Sequence, residues 1–206
     1  MHSLSKNDYI GFLLLSIGII DVVHTVLYKP LYELLWFSNS ILVLAGLAFI
    51  FQSRLLIGSV LISSVVEIPW VVDFFGRLAF DKVLLGGVAD YMLNDFGFSS
   101  ARFYIELNHL LVIPFSVYGA LKIGIHRQSY VVSSIHAVLL NTLSFFFAPA
   151  AKNINCMRHL CISGRNFSGG AKYFIGFTLF LCVLAYFINL GALRIFKHRN
   201  SINLND

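Results

Sequence analysis

Charge is what this chain has least of. Only 12% of its 206 residues are Asp, Glu, Lys or Arg, about half the share of a soluble domain. That scarcity argues against an ordinary water-soluble fold. Cysteine is nearly absent too: Cys156, Cys161 and Cys182 are too few for a disulfide framework. Cys182 sits in an apolar run and reads as a small packing residue. There is no P-loop, dinucleotide fingerprint, HExxH or GxSxG, so no motif-borne enzyme class is indicated. The sequence leaves any cofactor unknown. The net charge of +5 comes from basic residues standing singly between apolar runs, which is the pattern of membrane flanks, and nucleic acid is discounted as a partner.

What is abundant is apolar: 58% of residues, in six stretches. They run Ile10–Tyr28, Leu31–Phe51, Leu55–Phe75, Phe103–Ile125, Val131–Phe147 and Tyr173–Leu193. Each is of a length to cross a bilayer, for which a helix needs about 17–25 residues. Lys29-Pro30, Gln52-Ser53-Arg54 and His126-Arg127-Gln128-Ser129 are short links that force neighbouring helices antiparallel. The expectation is an all-α membrane protein, an up-down bundle of about six transmembrane helices in a single domain spanning 1–206, with the lipid bilayer as its solvent. Asp21 and His24 interrupt the first run where a signal-peptide cleavage site would lie, so it reads as a retained helix. Two connections are long. Gly76 to Arg102 contains a semi-apolar piece, Val83–Leu93, and Ala148 to Lys172 is polar; both lie on one face of the membrane. The other face carries Lys6, Arg54, Lys122, Arg127, Arg194, Lys197 and Arg199 in much shorter segments. Short loops weigh most in the positive-inside rule, so a cell-membrane protein with cytoplasmic termini is expected.

The informative residues are the ionisable ones within or beside the apolar runs, since a charge in lipid costs several kcal/mol unless it is paired or wet. Asp21 and His24 stand three apart on one helix face, with Tyr28 a turn further. A carboxylate there can fix the imidazole tautomer, or the pair can serve packing alone. In the third run Glu67 precedes Pro69-Trp70 and Asp73. Six residues turn a helix by about 600°, so the two carboxylates point about 120° apart and do not face each other. Glu67 lies at mid-depth and needs a partner from another helix or a proton of its own. Pro69 cannot donate to Val65, which predicts a kink. Asp73, near the span's end, is expected to meet headgroups or Arg77.

Arg102, Glu106 and His109 step along the fourth run at spacings of four and three, with Asn108 beside them and Pro114 beyond. They make one polar stripe entering from the long-loop face. Such a stripe suits an anionic headgroup, a proton relay or a metal, and equally an internal salt bridge. His136 and Asn141 are isolated and read as packing groups. Cys156, His159 and Cys161 are metal-ligand types without the partner motif that zinc requires. Asn166-Phe167-Ser168 fits a glycosylation sequon.

Trp36-Phe37-Ser38-Asn39, Arg54-Leu55 and Trp70-Val71-Val72-Asp73 resemble a group of small prokaryotic multi-pass membrane proteins of no assigned activity. That group also tends to show a Tyr-Met pair, a downstream Arg, an aromatic-His with leucines ending in Pro, and Pro-x-x-x-Asn-Ile-Asn. The counterparts are Tyr91-Met92, Arg102, Asn108-His109 through Pro114, and Pro149 through Asn153-Ile154-Asn155, with Asn108 and Cys156-Met157 departing from the pattern. The resemblance covers about residues 31 to 156. It implies the architecture and the candidate site, not a reaction.

These residues suggest a polar pocket on the long-loop face for a small or lipid-like ligand. Glu67, Asp73 and His109 are its candidate acid–base groups. Arg102, Glu106, Asn153, Asn155, Asn39 and Trp70 are candidate ligand contacts, and no metal is assigned. The alternatives are a proton-coupled transporter with Glu67 carrying the proton, and a structural or assembly protein whose polar groups pair helices.

Overall fold

The structure is a computed structural model that describes residues 5–90, 92, 100–161 and 170–200. All regular structure among the described residues is helical. The first helix, α1 (Lys6–Tyr28), starts at a reciprocal cap. Asp8 N–H donates to Ser5 Oγ at 3.3 Å, and Ser5 N–H donates to the Asp8 carboxylate at 2.7 Å. A cap of this kind is worth about 1 kcal/mol. Pro30 then opens a tight turn over Leu31–Leu35, and α2 covers Phe37–Ile50. The second apolar run is therefore divided. Its α-helical part is 14 residues, about 21 Å of rise against a hydrocarbon core of about 30 Å. α1 packs along α2 with little between the backbones. A Cβ on Gly46 would come within 2.6 Å of the Leu15 nitrogen, and one on Gly18 within 3.0 Å of the Val43 nitrogen, so glycine sets the helix spacing.

The third run is broken at the point where proline predicts a kink. α3 (Arg54–Ser64) passes through a tight turn, Val65–Glu67, into α4 (Ile68–Phe80). Pro69 leaves the Val65 carbonyl without its usual donor, and Ile68 N–H takes its place. The fourth run is divided likewise into α5 (Ala101–Glu106) and α6 (His109–Lys122), the latter holding Pro114 within it. Then come α7 (Ser129–Phe147) and α8 (Gly170–Asn200). Five helical stretches are long and apolar enough to cross a membrane: 6–28, 54–80, 102–122, 129–147 and 170–196. α2 is the shorter apolar helix. The architecture is an all-α membrane bundle.

Leu14, Ile41, Leu42, Phe49, Ile57, Val60 and Val112 form the core where α1, α2, α3 and α6 meet. Large apolar side chains also cover the outside, among them Phe12, Ile20, Leu139, Leu179, Phe180 and Phe187. Polar side chains turn inward instead and bond between helices. Ser63 pairs with Ser133 at 2.9 Å, Ser64 with Ser116 at 3.2 Å and Ser40 with His136 at 2.8 Å, while Asn141 donates to Thr178 at 3.3 Å. Hydrocarbon offers no competing hydrogen bonds, so such pairs suit a bundle immersed in it.

Candidate functional site

The break at Val65–Glu67 places Glu67 at the base of α4, facing the start of α6. Its carboxylate lies 2.6 Å from His109 Nδ1. The other ring nitrogen, Nε2, lies 3.5 Å from Glu106 on α5. The imidazole face stacks on Trp70, with ring centroids 4.3 Å apart and planes 18° from parallel. Trp70 in turn stacks on Phe74 at 5.2 Å, within an apolar cluster that includes Phe103, Leu107 and Leu110. The result is one imidazole with a carboxylate at each of its two nitrogens and an indole against its face.

Glu106 continues the network outward. It accepts from Lys29 Nζ at 3.1 Å and faces Arg102 Nε at 3.6 Å. Glu33, on the turn after α1, pairs with Arg102 at 3.4 Å and with Lys29 at 4.0 Å. Side-chain exposure is 7% at Glu67, 8% at His109 and Lys29, 13% at Glu106, 18% at Glu33 and 33% at Arg102. The network therefore runs from a buried end at the helix break to a wetter end at the long-loop face. A proton can be shared between Glu67 and His109 Nδ1 across their 2.6 Å bond, and the other ring nitrogen faces Glu106 at 3.5 Å. A ring carrying both protons donates to both carboxylates, whereas a neutral ring donates to one. Three carboxylates (Glu33, Glu67, Glu106) then face two permanent cations and an imidazole able to supply the third positive charge.

Of the residues singled out by sequence, the structure brings Glu67, Trp70, Arg102, Glu106 and His109 together. Asp73 does something else. It is fully buried, and its carboxylate accepts backbone N–H bonds from Leu84 (2.9 Å), Gly87 (2.7 Å) and Val88 (3.0 Å), with Leu85 as a fourth donor. The semi-apolar piece thus wraps its own amides around Asp73. Arg77, expected beside Asp73, instead pairs with Asp81 at 2.8 Å and Asp90 at 3.0 Å. Tyr91 and Leu93 of that piece lie outside the described residues, as does the sequon at Asn166, while Met92 is fully buried beside Trp70 and Phe74.

Asn39 donates to the Glu33 carbonyl at 2.7 Å and so fixes the turn that carries Glu33, without touching the charges. Asn155 reaches further. It donates to the Leu35 carbonyl (2.7 Å) and Ser144 Oγ (3.0 Å), and it accepts from Phe37 N–H (3.0 Å). Asn153 closes its own loop by accepting from Arg158 N–H (2.8 Å) and His159 N–H (3.1 Å) and donating to the His159 carbonyl (2.8 Å). Cys156 and Cys161 are joined as a disulfide, so their sulfurs are not thiolate ligands, and no cluster of three metal-binding side chains exists among the described residues. Asp21 bonds Asn108 (3.0 Å) rather than His24, whose ring packs at a tilt of 41° against Tyr28.

The members of the network missed by sequence reasoning are Lys29 and Glu33. Their spacing of four was visible, but a lysine beside Pro30 reads as an ordinary membrane-flanking cation. Two cavities lie away from the charges. One, between Phe37, Ser63, Ser133 and Ala185, has space for about one water (about 20 Å³). The other is a shallow groove along the outer face of α7, from Tyr130 to Thr142.

Compared with known proteins, the chain matches no family model, no curated protein and no solved structure.

Proposed function

We propose that this chain is a multi-pass protein of the cell membrane with cytoplasmic termini. Its Glu67–His109 pair would be an acid–base centre for a small or lipid-like ligand. The observation that carries the reading is the position of His109, with a carboxylate at each ring nitrogen and an indole against its face. A general acid–base group needs a proton-exchange partner and a fixed orientation, and this ring has both. The aromatic wall of Trp70, Phe74 and Phe103 favours an apolar ligand body, while the Lys29 and Arg102 end favours a polar or anionic head. In this reading Asp73, Asn153, Asn155 and Asn39 shape the surrounding loops and do not touch the ligand.

The test uses the purified protein in detergent with a panel of isoprenoid alcohols, fatty acids and lysophospholipids. At least one member should raise the melting temperature of the native protein. The paired Glu67→Gln, His109→Gln variant should remain folded and lose that shift. A panel that shifts neither protein, or shifts both equally, removes the acid–base reading.

A second reading has its own support. Every charge in the network has a partner. That favours a structural role in which the network docks α1, α4, α5 and α6. It predicts that paired neutral replacements at Glu67 and His109 preserve both folding and whatever ligand response the native protein has.

A further inference from the structure

The disulfide belongs to no part of the acid–base reading, yet it closes a loop with connections into the bundle. We infer that Cys156–Cys161 is a covalent clasp, formed by thiol–disulfide exchange on the non-cytoplasmic side, that holds the Glu33 turn in place. This inference rests on the membrane reading above and adds a modification site to it.

The loop leading into the bridge adopts backbone conformations that side chains disfavour. Asn153, Asn155 and Cys156 all have positive φ, at 43°, 54° and 59°. Each such residue costs roughly 1–2 kcal/mol and persists only where its surroundings over-determine it. Several restraints meet here. The bridge ties Cys156 to Cys161, Asn153 binds the backbone at Arg158 and His159, and Met157 is fully buried. Arg158 donates to the Phe145 carbonyl and lies over the Phe145 ring at 4.4 Å. The loop is thereby fastened to the end of α7.

Asn155, adjacent to Cys156, carries the restraint onward. Its three bonds join the α7 side chain Ser144 to the backbone at Leu35 and Phe37. That backbone is the end of the turn bearing Glu33, which Asn39 holds from the other side and whose carboxylate pairs with Arg102. A continuous path of bonds thus leads from the bridge to the outer end of the charge network.

The compartment follows from chemistry. Cytosolic thiols are kept reduced, so a stable bridge points to an oxidising side. The bridge lies on the long-loop face, opposite the short basic links, and both signals give cytoplasmic termini. Both cysteines are only partly buried, so a redox partner has access. In forming the bridge, one cysteine thiolate attacks a disulfide-bearing donor protein to give a mixed disulfide and one donor thiolate. The second cysteine thiolate then attacks the chain's own sulfur in that mixed disulfide and expels the other donor sulfur. The donor leaves as a dithiol with two electrons, and the two thiol protons pass to it.

The experiment uses the full chain with Cys182→Ser, in sealed cells, with a membrane-impermeant maleimide polymer. No labelling is expected until an impermeant phosphine is added outside; two polymers per chain should then attach. Labelling without reductant, or only after permeabilisation, overturns the inference. In parallel, hydrogen exchange on the purified protein should quicken about tenfold at the Phe37 amide after reduction. An unchanged Phe37 amide overturns the clasp. Loss of the chain from carbonate-washed membranes would instead defeat the membrane reading itself, so the two failures are distinct.

Discussion

Glu67 Oε2 lies 2.6 Å from His109 Nδ1, across the gap between the base of α4 and the start of α6. The two residues are 42 positions apart in sequence, and each stands where its own run of helix is interrupted. Removing one partner from a buried pair costs about 3–5 kcal/mol because the other charge is left uncompensated. Glu67→Ala should therefore lower stability severely. Glu67→Gln with His109→Gln, which removes both charges, should cost much less than the sum of the singles. A double-mutant cycle by thermal unfolding in detergent should give a coupling above about 1 kcal/mol. Additive losses would mean that the contact carries no energy.

Asp73 answers to a different test. Four backbone amides point at its carboxylate, and an Asn side chain offers one acceptor oxygen in place of two. Asp73→Asn should cost about 2 kcal/mol through amides left without acceptors. Exchange of the Leu84, Leu85, Gly87 and Val88 amides should rise before that of any core helix. Protection retained at all four would show that the loop holds without the carboxylate.

Asn155 combines a side-chain role with a backbone one, and two substitutions separate them. Asn155→Gly deletes three hydrogen bonds while accepting the φ of 54°. Asn155→Ala deletes the same bonds and adds left-handed strain of about 1 kcal/mol. Alanine should melt below glycine, and both below the native protein. Reversal of that order would mean that the left-handed conformation is not retained.

Helix spacing offers a further test. Gly46→Ala forces a methyl against the Leu15 backbone and should cost about 1–3 kcal/mol. Gly191→Ala meets nothing within 4 Å and should be neutral or stabilising by up to about 1 kcal/mol. Equal melting temperatures for the two variants would refute the close approach of α1 and α2.

Part of the site was legible before any coordinates. Arg102, Glu106 and His109 repeat at helical spacing, so their shared stripe needed only the helix period, and Glu67 at mid-depth demanded a partner. The partner's identity was not legible. His24, His109 and His136 were equally eligible as imidazoles, and local spacing favoured Asp21 for His24. The structure gives Asp21 to Asn108 and Glu67 to His109. Asp73 was misleading for the same reason. Spacing of four suggested Arg77, but backbone amides from a later loop enclose it at shorter range. The lengths of the apolar runs were legible; the tight turns dividing them were less so, since Pro69 marks the break in the third run without specifying its form and Pro114 lies within α6, beyond the break in the fourth.

The sequence by itself determined the solvent. Hydrophobicity summed over some twenty residues is a property of local composition, and it decides whether a segment prefers lipid to water however the rest folds. It also determined that the few ionisable groups inside must be neutralised. Only the tertiary structure decided which group neutralises which. Carboxylates of the same chemistry differ there by what packing brings within about 3 Å, and that distance, not residue type, sets the strength of a charged contact.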